Sequence, residues 1–127
     1  MSGPGEVVRA AVERLNASEF DGFSELLTDD VVMVSSMAKL VGKAQVLAGL
    51  RENLGMASEH WRTVDRLLVN GDHVATWLIN GGVVAESGNR WQMESCGIWK
   101  VRDGLIESIR DYADWRPLLA AFGVASD

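Results

Sequence analysis

A chain of 127 residues with 47% hydrophobic and 24% charged residues can bury one core, and it reads as a single domain over residues 1–127. A net charge of −6 argues against nucleic-acid and anionic-membrane partners, which need a basic footprint. The one cysteine, Cys96, excludes an intrachain disulfide; the start MSGPGEVV lacks a signal pattern and no apolar run is long enough to span a membrane, so a cytoplasmic protein is expected.

From Glu6 to Ala17, Val8, Ala11, Val12 and Leu15 recur at helical spacing and predict an amphipathic helix. A second short helix is expected over Asp21–Leu27, with Phe20, Phe23, Leu26 and Leu27 inward. Thr28-Asp29-Asp30 reads as a turn and Val31–Ser36 as a strand. A third helix is expected over Lys43–Leu54, striped by Val46, Leu47, Leu50 and Leu54 and bounded by Gly42 and Gly55. Strands follow at Ser58–Val69 and His73–Asn80, joined through Asn70-Gly71-Asp72. Gly81-Gly82 and Ser87-Gly88-Asn89 punctuate the connection to Arg90. Asp114 is a candidate N-cap for a short apolar tail, Trp115–Phe122.

The most informative stretch is QMESCGIWKVRDGLIESIRDYADW, Gln92 to Trp115, which reads as a strand-turn-strand. A three-residue loop, Arg102-Asp103-Gly104, closed by Val101 and Leu105, would set Ser95 opposite Asp111 and Gly97 opposite Ile109. Alternation then puts Met93, Ser95, Ile109, Asp111 and Ala113 on one face. That face is apolar apart from a hydroxyl and a carboxylate.

DGLIESIRDYADW resembles the end of the limonene-epoxide-hydrolase-like and SnoaL-like polyketide-cyclase families, both of the nuclear transport factor 2 and ketosteroid isomerase fold. The resemblance implies an α+β, cystatin-like roll: a cone-shaped, curved antiparallel sheet wrapped around N-terminal helices. It also implies that Asp111, in the run Arg110-Asp111-Tyr112, sits inside the cone as the base. The epoxide hydrolases carry an arginine and a second aspartate on the strand matching VATWLIN. Leu78 and Asn80 stand in those positions here, and Met33 and Ser35 replace the family's water-holding tyrosine and asparagine.

Those replacements redirect the chemistry. Asn80 can donate a hydrogen bond but carries no transferable proton at ordinary pH. Without the family's arginine, burial among Met33, Leu78, Met93 and Ile109 should raise the pKa of Asp111 toward neutrality, which suits a carboxyl that is base and then acid in one turnover. The expected function is cofactor-independent acid–base chemistry on a small, mostly apolar molecule, as in isomerases and polyketide cyclases. Asp111 carries the proton, Asn80 and Ser35 orient the substrate oxygen or a water, and Met33, Leu78, Met93, Ser95 and Ile109 line the pocket. Epoxide opening, by water or an internal hydroxyl, is the alternative reaction. A non-catalytic ligand-binding module is the alternative class, in which Asp111 is a structural carboxylate bonded to Ser95, Ser35 or Asn80.

His60 and His73 lack metal-ligand spacing and are expected to be exposed, and no metal site is expected. Cys96, with no activating partner, reads as inert. The opposite sheet face should carry Trp77, Ile79 and Ile98, an apolar surface that predicts a homodimer.

Overall fold

The computed structural model describes residues 3–124. The chain opens with α1 (Pro4–Asn16) and α2 (Phe20–Ser24), followed by β1 (Leu27–Ser35) and β2 (Lys39–Val41). Then come α3 (Lys43–Gly55), β3 (Ala57–Asn70), β4 (His73–Val84), β5 (Arg90–Arg102), β6 (Leu105–Ala113) and α4 (Arg116–Ala121). The six strands form one sheet in the order β2-β1-β6-β5-β4-β3.

The sheet is not wholly antiparallel, as the sequence had suggested: β1 runs parallel to β6. Hairpin turns impose antiparallel pairing on β3 through β6. The connection from β1 to β6 spans four strands and a helix, so no turn constrains their direction. The short β2 escapes sequence patterning because three residues carry no period. Thr28, Asp29 and Asp30 lie within β1 rather than in a turn, where the ladder to β6 is irregular between Leu27 and Val32. Leu27 opens that strand instead of closing α2, and its buried side chain joins the core.

α1 buries Val7, Val8, Ala11, Val12 and Leu15 against the concave side of the sheet, and α3 inserts Val46. Phe23, Leu27, Val31, Val74, Trp99, Ile106 and Ile109 complete one core. Each fully buried aliphatic side chain contributes roughly 1.5–3 kcal/mol. A smaller cluster of Val84, Trp91 and Ala121 seats α4 at one end.

Gly81 and Gly82 do not break the chain; they lie inside β4. A β-carbon on Gly82 would meet the ring of Trp91, and one on Gly81 the ring of Trp61, 2.5 Å away. The indoles occupy the space a side chain would fill. The glycines are there for close packing and not for a turn.

The β5–β6 hairpin also differs from expectation. Its loop has two residues, Asp103 (φ 53°) and Gly104 (φ 79°), closed by Arg102 and Leu105. Positive φ at both positions is the geometry whose twist matches the flanking strands. A bulge between Lys100 and Val101 then leaves Glu107 unpaired, so Gly97 faces Asp111 and Ser95 faces Ala113. Shorter loop and bulge together move the register by two residues, and an even shift keeps every side chain on its expected face. Ser95 and Asp111 become diagonal neighbours.

Candidate active site

The inner face of the sheet brings one in-register row across four strands: Thr76 of β4, Gly97 of β5, Asp111 of β6 and Ser35 of β1. Beside it lie Leu78 and Ser95, then Asn80 and Met93. Val74, Trp99, Ile109 and Met33 form the row on the other side, deep in the core. Alternation along each strand accounts for this set.

Asn80 Nδ2 donates to Ser95 Oγ at 2.9 Å, and the Ser95 hydroxyl sits diagonal to Asp111 on the same face. Accepting from Asn80 leaves the single hydroxyl hydrogen of Ser95 available to the Asp111 side. Burial pushes the Asp111 carboxyl up to about 6, while the Ser95 hydroxyl and the positive charge of Arg62 pull the other way. Nearby, Trp99 Nε1 donates to Thr76 Oγ1 at 2.9 Å, satisfying two otherwise buried polar groups.

Ser35 stands beside Asp111 in register, but its hydroxyl is engaged with its own turn. Oγ accepts the backbone N–H groups of Met37 (3.1 Å) and Ala38 (3.3 Å). Accepting leaves the Ser35 hydroxyl hydrogen free, and Ser95 is the hydroxyl that lowers the Asp111 pKa.

Arg62 is the residue that sequence reasoning missed. It pairs across from Asn80 on β3 and places a guanidinium near Asp111, so the cone does hold a cation. Counting back from the β3–β4 turn without interruption sets Thr63 opposite Asn80 and turns Arg62 outward. A register shift between Val64 and Arg66 leaves Asp65 unpaired and reverses the faces beyond it. No local pattern announces that bulge.

His60 is half-buried rather than exposed and isolated: Nε2 lies 2.9 Å from Ser18 Oγ, and Nδ1 lies 3.2 Å from Arg62 Nη1. Burial lowers its pKa, and the Arg62 charge lowers it further. His73 is exposed. Among the described residues no group of three or more His, Cys, Asp or Glu side chains could hold a metal ion.

A groove of about 570 Å³ opens where β5 begins and β6 ends, lined in part by Met93, Ser95, Ala113 and Pro117. Asp111 does not line it, and lies two residues back along β6 from Ala113. The groove also takes in Trp77, Cys96 and Tyr112 from the outer face, so it is an open cleft and not a pocket closed inside the cone around Asp111. Trp77 and Trp99 occupy opposite faces, the first 41% exposed and the second 5%. No helix among the described residues is long and apolar enough to cross a membrane.

Among solved structures, a ketosteroid-isomerase-fold protein from Catenulispora acidiphila in complex with trimethylamine superposes with a TM-score of 0.85 at 20% identity, covering 94% of each chain. An LEH-like epoxide hydrolase from M. tuberculosis gives 0.80 at 24% identity over 93% of this chain and 87% of that one. IdmH from Streptomyces antibioticus, proposed to be a polyketide cyclase, gives 0.84 at 21% identity over 97% and 100%. No curated protein matches the chain. At these identities the structures establish the fold. Residues 8–109, from α1 to Ile109 on β6, match the SnoaL-like domain model, and the chain belongs to the SnoaL-like domain family.

Proposed function

We propose that this protein is an enzyme performing cofactor-independent proton transfer on a small, mostly apolar molecule, of the isomerase or polyketide-cyclase type. The observation that carries this reading is the state of Asp111: an inward carboxyl, raised to about 6 by burial and flanked by the hydrogen-bonded pair Asn80–Ser95. Such a group is a base at neutral pH and a usable acid once protonated. Met33, Leu78 and Ile109 pack beneath the site as apolar floor, Met93 lines the groove, and the opening beside Ser95 and Met93 supplies a route in.

Epoxide opening is the second reading, favoured by one observation. Arg62 provides a cation near Asp111, which that chemistry uses to keep its carboxylate ionised. It still requires an acid for the leaving oxygen, and Asn80 is an amide.

The assembly belongs to the same proposal. Trp77, Ile98 and Tyr112 are 41%, 44% and 54% exposed on the outer sheet face. A second copy of the chain would cover them. A reducing, cytoplasmic setting suits the free thiol of Cys96.

Exchange of α-protons in D2O tests the reaction without knowledge of the product. Cyclic ketones, lactones and β-ketoesters are incubated with the protein and followed by NMR. Catalysed exchange that falls with pH below about 6 and drops about a hundred- to ten-thousand-fold in Asp111→Asn is the expected result. Exchange unaffected by the substitution would overturn the role of Asp111.

A further inference from the structure

Arg62 is held in a way that leaves part of its guanidinium for a ligand. Asn16, in the last turn of α1, grips the backbone of Arg62 at the free edge of β3. Its Oδ1 accepts the Arg62 N–H at 2.9 Å, and its Nδ2 donates to the Arg62 carbonyl at 2.9 Å. The same Oδ1 accepts Arg62 Nη1 at 3.2 Å.

The other neighbour of Nη1 is His60 Nδ1, at 3.2 Å. A guanidinium can only donate, so this nitrogen must accept, and the ring proton sits on Nε2, which donates to Ser18 Oγ. Ser18 adopts a left-handed conformation (φ 57°), where glycine is the usual choice. Its hydroxyl gives that position a reason to be serine.

Nη1 is thereby spent, whereas Nε and Nη2 make no hydrogen bond to the protein among the described residues. Nor does Arg62 form an ion pair within 4.0 Å of a carboxylate there. It nevertheless feels the charge of Asp111. Arg62 faces Asn80 across the β3–β4 ladder, and Asn80 bonds Ser95, the diagonal neighbour of Asp111, so a cation with free donors and a base share the inner face and can address the two ends of one functional group.

We propose that Arg62, clamped by Asn16 and His60, receives the oxygen of a carbonyl substrate as it becomes an enolate, making the substrate class carbonyl compounds with an acidic α-hydrogen. This deepens the proton-transfer reading and rests on it. Asp111 takes the α-proton, the C–H electron pair becomes the enolate C=C bond, and the carbonyl π pair moves onto the oxygen facing Arg62. The protonated Asp111 returns the proton to carbon in an isomerisation, or to the alkoxide formed when the enolate carbon attacks a second carbonyl of the same molecule. A preorganised cation at that oxygen acts where charge develops.

Binding of a stable oxyanion tests Arg62 without turnover. The probe is 4-nitrophenolate against neutral 4-nitroanisole at about pH 8.5, above the folded pKa of Asp111, followed by tryptophan fluorescence. Wild type should prefer the anion. Arg62→Gln should lose about tenfold or more of that affinity without losing nitroanisole, Arg62→Lys should retain part of it, and His60→Phe should weaken it by misplacing the guanidinium. Asp111→Asn should bind the anion more tightly, because a like charge is gone. Equal binding of the anion by wild type and Arg62→Gln, or no preference in wild type, would overturn the assignment. A lower melting temperature for Arg62→Gln with anion selectivity intact would make Arg62 structural only and also overturn it. Loss of α-proton exchange in Asp111→Asn is a separate measurement, so failure of the base and failure of the oxyanion site are distinguishable.

Discussion

Asp111 lies directly across the β5–β6 ladder from Gly97, and a β-carbon added at Gly97 would stand 3.6 Å from the carboxylate Oδ1. The same carbon would be 3.0 Å from Thr76 Oγ1 and 3.1 Å from Trp99 Nε1. The first contact is ordinary; the other two are tight enough to disturb the Trp99–Thr76 bond. Gly97→Ala should therefore destabilise the fold by roughly 1–3 kcal/mol and alter Trp99 fluorescence. An unchanged melting temperature would mean that the sheet has room over Gly97.

Asp111→Asn carries a stability signature with a definite sign. The folded pKa, about 6, is raised above the ordinary aspartate value of 3.8, so the folded state binds this proton more tightly than the unfolded one. The ionised carboxylate is a penalty absent below about pH 4, growing through the interval and fully present above about pH 6, on the order of 3 kcal/mol. The amide variant should melt higher than wild type near pH 8 and at nearly the same temperature near pH 3.5. A variant less stable at both pH values would show that the carboxylate holds the site together.

Asn80→Asp tests the epoxide alternative with one substitution. Because Asn80 faces Arg62 across the β3–β4 ladder, a new carboxylate there would meet a guanidinium without any change at Leu78. It would also place a second acid beside Ser95, currently the acceptor of the Asn80 amide. Hydrolysis of small epoxides should appear or rise, at some cost in stability from the added buried charge. If the variant folds and its proton-exchange activity falls with no gain on any epoxide, the site lacks the geometry for ring opening.

Trp77→Glu addresses assembly. Trp77 sits in a row with Cys96 and Tyr112 on the outer face, flanked by Ile98. Wild type should sediment as a dimer at micromolar concentration and the variant as a monomer, since a carboxylate in a buried apolar interface is costly. A monomeric wild type would remove the dimer from the reading.

Much of the architecture was legible in the sequence for local reasons. The stripe of Val8, Ala11, Val12 and Leu15 specifies a one-sided helix, and alternation in VATWLIN and IRDYA separates Leu78, Asn80 and Asp111 from Trp77 and Tyr112. The inward placement of Asp111 even survives an error in register, because loop length and bulge shift the ladder by an even number. Gly81-Gly82 misled for an equally local reason: glycine reports an absent side chain, and only the rings of Trp61 and Trp91 reveal that packing, not a turn, demands it.

The sequence by itself determined the course of β3 to β6 in outline, which face of β4, β5 and β6 each side chain takes, and that one carboxyl lies among apolar neighbours. Only the tertiary structure decided what that carboxyl meets. Ser95, bonded to Asn80, is the hydroxyl that lowers the Asp111 pKa, whereas Ser35 Oγ accepts two backbone N–H groups of the β1–β2 turn. Arg62 enters the cone because a bulge at Asp65 reverses the face of β3, so that it pairs with the inward Asn80 although two strands separate β3 from β6 in the sheet order. Side-chain alternation is a property of adjacent residues, whereas bulges and curvature arise from how whole strands pair and twist. The cation of this site is therefore a product of the folded sheet.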